Sequence, residues 1–220
     1  LGRLKPSARA AVARLRESGL FSPEAYLQEN PDVAAGGFPA TQHFFLIGTK
    51  DRRNPAWFFD TDWYARQRPE FARDSISALQ HYLDHGAAEG ISPIPFFDSA
   101  WYLATNPDVR ESDLSPLMHF VLNGQAELRS PHPFFDVRFY LDAYPDVAAS
   151  PMGALRHYLT HGRHEWRRPN RFFDPEWYMR ANPDLLAGGI DPAMHYLEYG
   201  GQENREPGPD FCVQRYLVEY

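Results

Sequence analysis

The sequence predicts an all-α protein built as an α-solenoid, and three observations support this prediction. A Phe-Asp-x-x-Trp-Tyr motif, or a close variant of it, recurs with a constant step of 38 residues. Each copy contains helical start and stop signals, and the alternation typical of β-strands is absent. A fixed period of about 20–50 residues is typical of stacked repeat proteins. The motif starts at Phe21, Phe59, Phe97, Phe135, Phe173 and Phe211.

The period divides the chain into an N-terminal segment, five full repeats and the beginning of a sixth. The N-terminal segment is 1–20, the full repeats are 21–58, 59–96, 97–134, 135–172 and 173–210, and the truncated repeat is 211–220. Because the chain starts without Met and ends inside a repeat, we expect it to be a fragment of a longer polypeptide.

Residues 1–20 are predicted to contain a basic helix that caps the first repeat. Ala8, Ala11, Val12 and Leu15 form an apolar stripe at helical spacing, and three arginines lie on the other face. Terminal repeats need such a cap because one of their faces has no neighbouring repeat. The alternative is that this helix docks on a partner or makes a peripheral contact with a membrane.

Each repeat is predicted to contain a first helix, a short turn and a longer last helix. An Asp or Ser after the leading Phe is a typical N-cap, and an x-Pro-Asp/Glu segment ends the first helix. The last helix is clearest at Asp191-Pro192, where a cap residue precedes a proline. A glycine then recurs, and we expect it to be a C-terminal cap with positive φ. These glycines are Gly48, Gly86, Gly124, Gly162 and Gly200.

The aromatic residues of the repeat are predicted to form its core and to join neighbouring repeats. One repeat is too small to bury them alone, so stacking of neighbours would cover them. The predicted core residues are Trp63, Trp101, Trp177, Tyr64, Tyr102, Tyr140 and Tyr178, with Tyr26 at the same position of the first repeat.

A histidine recurs in the last helix of every repeat, and we interpret it as structural. A zinc site needs three or four ligands that converge on one point, which one histidine per repeat does not supply. We expect its imidazole to bond a loop carbonyl or the Pro-Asp carboxylate. The histidines are His43, His81, His119, His157 and His195.

Four residues outside the recurring columns are candidates for contact with a ligand. Trp57 and Trp166 lie outside the Trp column of the repeat, and aromatic platforms bind sugars. His161 and His164 form a dense local cluster with Glu165. A solvated turn is the alternative interpretation of that cluster, since surface turns are commonly polar.

Charge and motif content argue against several function classes. Residues 21–220 contain 17 cations and 28 acids, a net charge of −11, which disfavours a nucleic-acid groove. No run approaches the ~18 apolar residues of a membrane span. Motifs for phosphate, dinucleotide, hydrolase or zinc-protease chemistry are absent from the sequence. We therefore predict no catalytic, cofactor or metal residues here, and a cytoplasmic location fits the single cysteine, Cys212.

The repeat resembles a known group of bacterial sequences. Phe97–Glu127 and Phe173–Glu203 are the closest copies of Phe-Asp-x-x-Trp-Tyr-x-x-x-Asn-Pro-Asp-Val followed by Pro-Leu-x-His-Tyr/Phe-x-x-x-Gly-x-x-Glu. This pattern resembles tandem repeats in large bacterial polypeptides of polysaccharide synthesis, including glycosyltransferases and proteins of the rhamnan synthesis F type. The resemblance covers residues 21–220. Arg68 and Tyr144 depart from it by replacing the Asn.

The resemblance implies a pathway for the parent polypeptide and leaves the task of this segment open, since such repeats accompany transferase domains. The leading hypothesis is a non-catalytic scaffold that binds a protein partner or adjacent domains of the same polypeptide. The second hypothesis is a glycan-binding module that uses exposed aromatic residues. A catalytic segment is the least favoured, and buried paired carboxylates in a cleft would support it.

Overall fold

The computed structural model describes residues 17, 21–71, 75–112, 114–186 and 188–211. The predicted N-terminal capping helix, apart from residue 17, and the sixth repeat after residue 211 lie outside them. The chain divides into two compact units, residues 1–127 and 128–220. The described residues are helical and contain no β-strand, only two isolated bridges, so the all-α prediction is confirmed.

Each first helix starts and ends where the sequence predicts. A side-chain oxygen of Ser22 or of Asp60, Asp98, Asp136 or Asp174 accepts a hydrogen bond from the backbone N–H three residues later, at 2.9–3.1 Å. Each helix ends before the proline, which disfavours helical geometry in the residue preceding it. The first helices are Pro23–Glu29, Thr61–Gln67, Ser99–Thr105, Val137–Ala143 and Pro175–Ala181.

The Pro-Asp segment forms a short second helix in which one apolar side chain is buried. Val33, Val109, Val147 and Leu185 are 1–4% exposed in these helices. The short helices are Pro31–Ala35, Pro107–Arg110, Pro145–Ala148 and Pro183–Leu186, with a 3₁₀ turn at Pro69–Phe71.

The third helix combines an α-helical start with a π-helical end. The α-helical parts are Ala40–His43, Ser75–His81, Pro116–His119, Ala154–His157 and Pro192–His195. The π-helical parts are Phe44–Gly48, Tyr82–Gly86, Phe120–Gly124, Tyr158–Gly162 and Tyr196–Gly200. The wider turn is defined by i→i+5 bonds such as Thr49 N–H to Phe44 O at 2.8 Å. The sequence analysis did not predict it, because no local signal distinguishes it from α-helix.

An aromatic triad joins the first and third helices of the same repeat. In the second repeat, Phe59, Tyr64 and Tyr82 are fully buried, with ring centroids 5.3–5.9 Å apart. The same triad recurs as Phe21/Tyr26/Phe44, Phe97/Tyr102/Phe120, Phe135/Tyr140/Tyr158 and Phe173/Tyr178/Tyr196. The triad therefore packs within one repeat, and the predicted contact of these columns with another repeat is seen where Phe134 meets Phe173 and Tyr196.

A phenylalanine at the end of a repeat makes an aromatic contact with a later repeat. In the C-terminal unit, the ring of Phe134, the last residue of repeat 97–134, lies 4.9 Å from Phe173 and 5.5 Å from Tyr196 of repeat 173–210. Phe172 ends the repeat in between and contacts Phe211 of the truncated repeat at 5.8 Å. In each of these doubled phenylalanines, the second ring belongs to a triad and the first contacts the leading phenylalanine of a later repeat.

Candidate interaction surface

The recurring tyrosine and histidine form one hydrogen-bonded pair in each repeat. The tyrosine hydroxyl of the first helix lies 2.7–3.0 Å from Nδ1 of the histidine on the third helix, seventeen residues later. The pairs are Tyr26/His43, Tyr64/His81, Tyr102/His119, Tyr140/His157 and Tyr178/His195. The prediction that the imidazole bonds a loop carbonyl or the Pro-Asp carboxylate is wrong for Nδ1, whose partner is the tyrosine hydroxyl. The recurring imidazoles therefore serve to join helices.

The recurring glycine makes room for this pair. A Cβ built on Gly48 or Gly86 would clash with the hydroxyl of Tyr26 or Tyr64, and the three other recurring glycines show the same contact. None of the five has a positive φ, so the predicted C-cap role was wrong. A left-handed backbone occurs four residues later instead, at Arg52, Gly90, Leu128, Trp166 and Asn204.

Burial favours the neutral form of the hydroxyl in four of these pairs and of the imidazole in two. Burial is the main cause that raises the pKa of Tyr26 to about 12, and it raises the pKa values of Tyr64, Tyr140 and Tyr178 as well. Burial lowers the pKa of His81, which also stacks on Phe71 at 3.8 Å, and that of His157. These groups are therefore arranged for stability, since each is held in its neutral form by its surroundings.

A second polar contact fixes the Pro-Asp helix to the segment that follows the third helix. Arg53 donates two hydrogen bonds to the Asp32 carboxylate, Nη1 to Oδ1 at 2.9 Å and Nη2 to Oδ2 at 2.7 Å. The pairs Arg167/Asp146 and Arg205/Asp184 have the same two-pronged geometry. The sequence analysis missed these arginines, although their spacing of 21 residues from the Pro-Asp carboxylate repeats. The guanidinium lowers the pKa of each of these carboxyls.

The asparagine of Asn-Pro-Asp links the backbone of the first helix to the arginine side chain. Nδ2 of Asn30 donates to the Tyr26 carbonyl at 2.8 Å, and Asn30 Oδ1 accepts from Arg53 Nη1 at 2.8 Å. Asn182 makes the equivalent two bonds. Where Tyr144 replaces the asparagine, the Arg167 guanidinium lies 4.8 Å over the Tyr144 ring instead. A cation–π interaction between Arg167 and Tyr144 thus takes the place of the hydrogen bond between Arg53 and Asn30.

The four candidate ligand residues are divided between the two units of the chain. Trp57 lies in the N-terminal unit, half-buried, with its ring 5.5 Å from Phe58. In the C-terminal unit, His161 and His164 are exposed, and the His161 ring stacks on His157 at 5.4 Å. Trp166 is 43% exposed and has a φ of 57°.

The residues predicted to form the repeat core differ in how deeply they lie. Tyr64, Tyr102, Tyr140 and Tyr178 are completely buried. His81, His119 and His195 are 8–9% exposed, and His157 is half-buried. Trp63, Trp101 and Trp177 are half-buried on the first helix, where their backbone N–H groups donate to the N-cap carboxylates.

Apolar side chains are exposed at both ends of the third helix in alternate repeats. Phe38 is 50% exposed just before this helix in the first repeat, where Leu46 and Ile47 at its π-helical end are 36% and 42% exposed. Leu114 and Leu122 take the positions of Phe38 and Leu46 in the third repeat and are 41% and 61% exposed. We call these five side chains the outer face of the N-terminal unit. Their exposed area is available for contact with an apolar partner surface.

Polar residues take the π-helical positions in the intervening repeat. Asp84 and His85 occupy the π-helical positions of the second repeat and are exposed. In the C-terminal unit the apolar pattern returns with Ile190 and Tyr199, which are 40% and 54% exposed. The outer residues vary from one repeat to the next while the inner pairs recur, which separates a variable surface from a constant core.

Among the residues that the structure describes, no cluster of His, Cys, Asp or Glu could hold a metal ion. No helix within those residues has the length and apolar character needed to cross a membrane. Comparison with protein-family models, with curated proteins and with solved structures finds no match to this chain.

Proposed function

We propose that this chain is a non-catalytic α-solenoid of five 38-residue repeats that binds a protein partner, or a neighbouring domain of its own polypeptide, through the outer face. One observation carries the proposal: the recurring polar residues bond one another inside each repeat, whereas the residues that vary lie on the surface. In repeat proteins, a constant core with a variable exposed face is the arrangement used for binding.

The chemistry of the outer face supports a protein partner. Phe38, Leu46, Ile47, Leu114 and Leu122 offer apolar area, and the acidic Asp84 lines one depression with Leu114. Protein interfaces combine apolar side chains with polar ones in this way. We further propose that the parent polypeptide acts in bacterial polysaccharide synthesis in the cytoplasm. This proposal rests on the motif at Phe97–Glu127 and Phe173–Glu203.

Site-specific photo-crosslinking in the source cells tests the scaffold proposal. A photoreactive amino acid at Leu46 or Leu122 should form adducts with one protein, or with one other region of the same polypeptide. The same amino acid at Glu24, exposed on the first helix, is the matched control and should not. Equal adducts at all three positions, or none at any, would contradict the proposal.

A charge substitution gives an independent readout of the same surface. Leu122→Asp should abolish the Leu46 adduct and leave the thermal midpoint unchanged, because Leu122 is 61% exposed. A lowered midpoint would mean that Leu122 contributes to folding, and a retained adduct would place the partner elsewhere.

A further inference from the structure

An aromatic groove lies in the C-terminal unit and shares no residue with the outer face. It has a volume of about 240 Å³, and its lining includes Phe134, Asp136, Arg171, Phe172, Tyr196 and Phe211. Phe172 is 52% exposed, while Phe134 and Tyr196 are half-buried. The groove therefore presents several ring surfaces side by side, with charged groups beside them.

Asn170 holds the exposed ring in place. Its Nδ2 donates to the Phe134 carbonyl at 2.7 Å, and its Oδ1 accepts from the N–H groups of Phe172 and Phe173 at 2.8 and 2.9 Å. Asn170 is itself 8% exposed. Because these three bonds fix the backbone on both sides of the groove, the ring of Phe172 is presented on a preorganised support.

The charged groups of the groove continue into a second depression. Asp136 and Arg171 line both, and the second, of about 360 Å³, adds Arg138, Phe139 and Asp142. Phe139 occupies the position that Trp63, Trp101 and Trp177 take in other repeats. Two carboxylates and two guanidinium groups thus flank a path that has aromatic rings at both ends.

We propose that this path binds a neutral oligosaccharide. Sugar rings have an apolar C–H face that packs against an aromatic ring, whose π-face is negative. Their hydroxyls both donate and accept, so that they can donate to Asp136 and Asp142 and accept from Arg138 and Arg171. Hydrogen bonds to charged groups are the stronger ones. This glycan site is separate from the protein-binding face proposed above and does not depend on it.

Other ligands fit the same groups less well. A proline-rich peptide offers only carbonyl acceptors, so it could accept from Arg138 and Arg171 but would give Asp136 and Asp142 no donor. An anionic ligand would meet Asp136 and Asp142 beside both arginines. The mixture of acceptors and donors around rings is the feature that selects a hydroxyl-rich, uncharged ligand.

An NMR titration of the intact ¹⁵N-labelled chain tests the site. The probes are cellohexaose, maltohexaose, a β-1,3-glucan hexasaccharide and a rhamnose hexasaccharide, with decaproline as the competing ligand. We expect saturable shifts at Arg171 and Phe172 with at least one saccharide, and about tenfold weaker binding for Phe172→Ala. Leu122→Ala, equally exposed but in the other unit, should bind as the unaltered chain does.

Three results would overturn the assignment. These are no saturable shift with any saccharide, shifts that cluster at Trp57 or Trp166 instead, or saturable shifts with decaproline alone. Arg171→Gln provides a second variant, because Arg171 is exposed and we expect its replacement to leave the fold intact. Unchanged affinity in both variants would also reject the site. None of these results bears on the crosslinking test of the outer face.

Discussion

In the first repeat, Arg53 holds Asp32 with two hydrogen bonds; in the second, the position of Arg53 is Ile91 and that contact is missing. There, Arg68 stands in place of the asparagine and pairs with Glu89 at 3.0 Å. The Pro-Asp helix of the first repeat is α-helical, whereas its counterpart at Pro69–Phe71 is a 3₁₀ turn.

The inner contacts of these two repeats are nevertheless the same. The tyrosine hydroxyl lies 3.0 Å from His43 in the first repeat and 2.7 Å from His81 in the second. Both triads are buried. The comparison indicates that the triad and the Tyr–His pair define the repeat, and that the ion pair on its surface can be exchanged because exposed ion pairs contribute little to stability.

The largest expected effect comes from removing the leading phenylalanine of either repeat. Phe21→Ala and Phe59→Ala should each cost about 3–5 kcal/mol, because both rings are buried and leave a cavity. Urea denaturation measures the loss. Phe172→Ala, with a half-exposed ring, is the control and should cost far less. An unchanged midpoint for Phe59→Ala would show that the second repeat does not depend on its triad.

A methyl group at the recurring glycine should have the next largest effect. Gly48→Ala and Gly86→Ala should each cost about 1–3 kcal/mol, because the new Cβ overlaps a buried tyrosine hydroxyl. Gly201→Ala is the control, since its Cβ would approach only the Tyr196 carbonyl at 3.9 Å. If urea titrations gave Gly86→Ala and Gly201→Ala the same loss of unfolding free energy, the glycine would not be needed to make room for the tyrosine hydroxyl.

Loss of the arginine contact should have a smaller effect that depends on salt. Arg53→Ala should lower the thermal midpoint less than Gly48→Ala does, and 1 M salt should reduce the difference from the unaltered chain, because the Arg53–Asp32 pair is partly exposed. Scanning calorimetry at two salt concentrations measures both. If Arg53→Ala lowered the thermal midpoint as much as Gly48→Ala does, the surface contact would be as important for stability as the core contact, which would contradict this prediction.

The smallest effect is a pH dependence that belongs to the second repeat. Burial is the largest cause that lowers the pKa of His81 below 6.5. His85 and Arg68 also lower this pKa, whereas Glu89 raises it. The stability that neutral His81 contributes is thus present above pH 6.5 and is lost as pH falls through its folded pKa. Imidazole proton shifts should give a midpoint below 6.5. A midpoint above 6.5 would contradict this, and His81→Gln should reduce the dependence and leave the part that His157 contributes, since burial lowers the pKa of His157 as well.

The sequence is sufficient to predict where the first helices start and end, because the signals for these positions are local. Asp60 and Asp174 cap the helices that follow them, and Pro31 and Pro183 end the first helices, since each acts on backbone groups within a few residues. The 38-residue period also shows which residues occupy equivalent places. These features need no knowledge of how distant segments meet.

Contacts between distant residues could not be read in the same way. His81 and Gly86 are recognisable as recurring, but their roles depend on Tyr64 approaching from another helix. The Arg53–Asp32 contact spans 21 residues, and the groove at Phe172 depends on Asn170 and Phe134 meeting across 36 residues. Periodicity identifies such residues without showing which one each of them touches.

By itself the sequence thus determined the all-α class, the period and the boundaries of the first helices, because caps and prolines act within a single turn of chain and the period is visible as a recurring motif. Only the tertiary structure decided that the triad closes each repeat on itself and that the glycine admits a hydroxyl. It also decided which apolar side chains stay exposed, because these properties depend on the distances between helices, which no local pattern specifies.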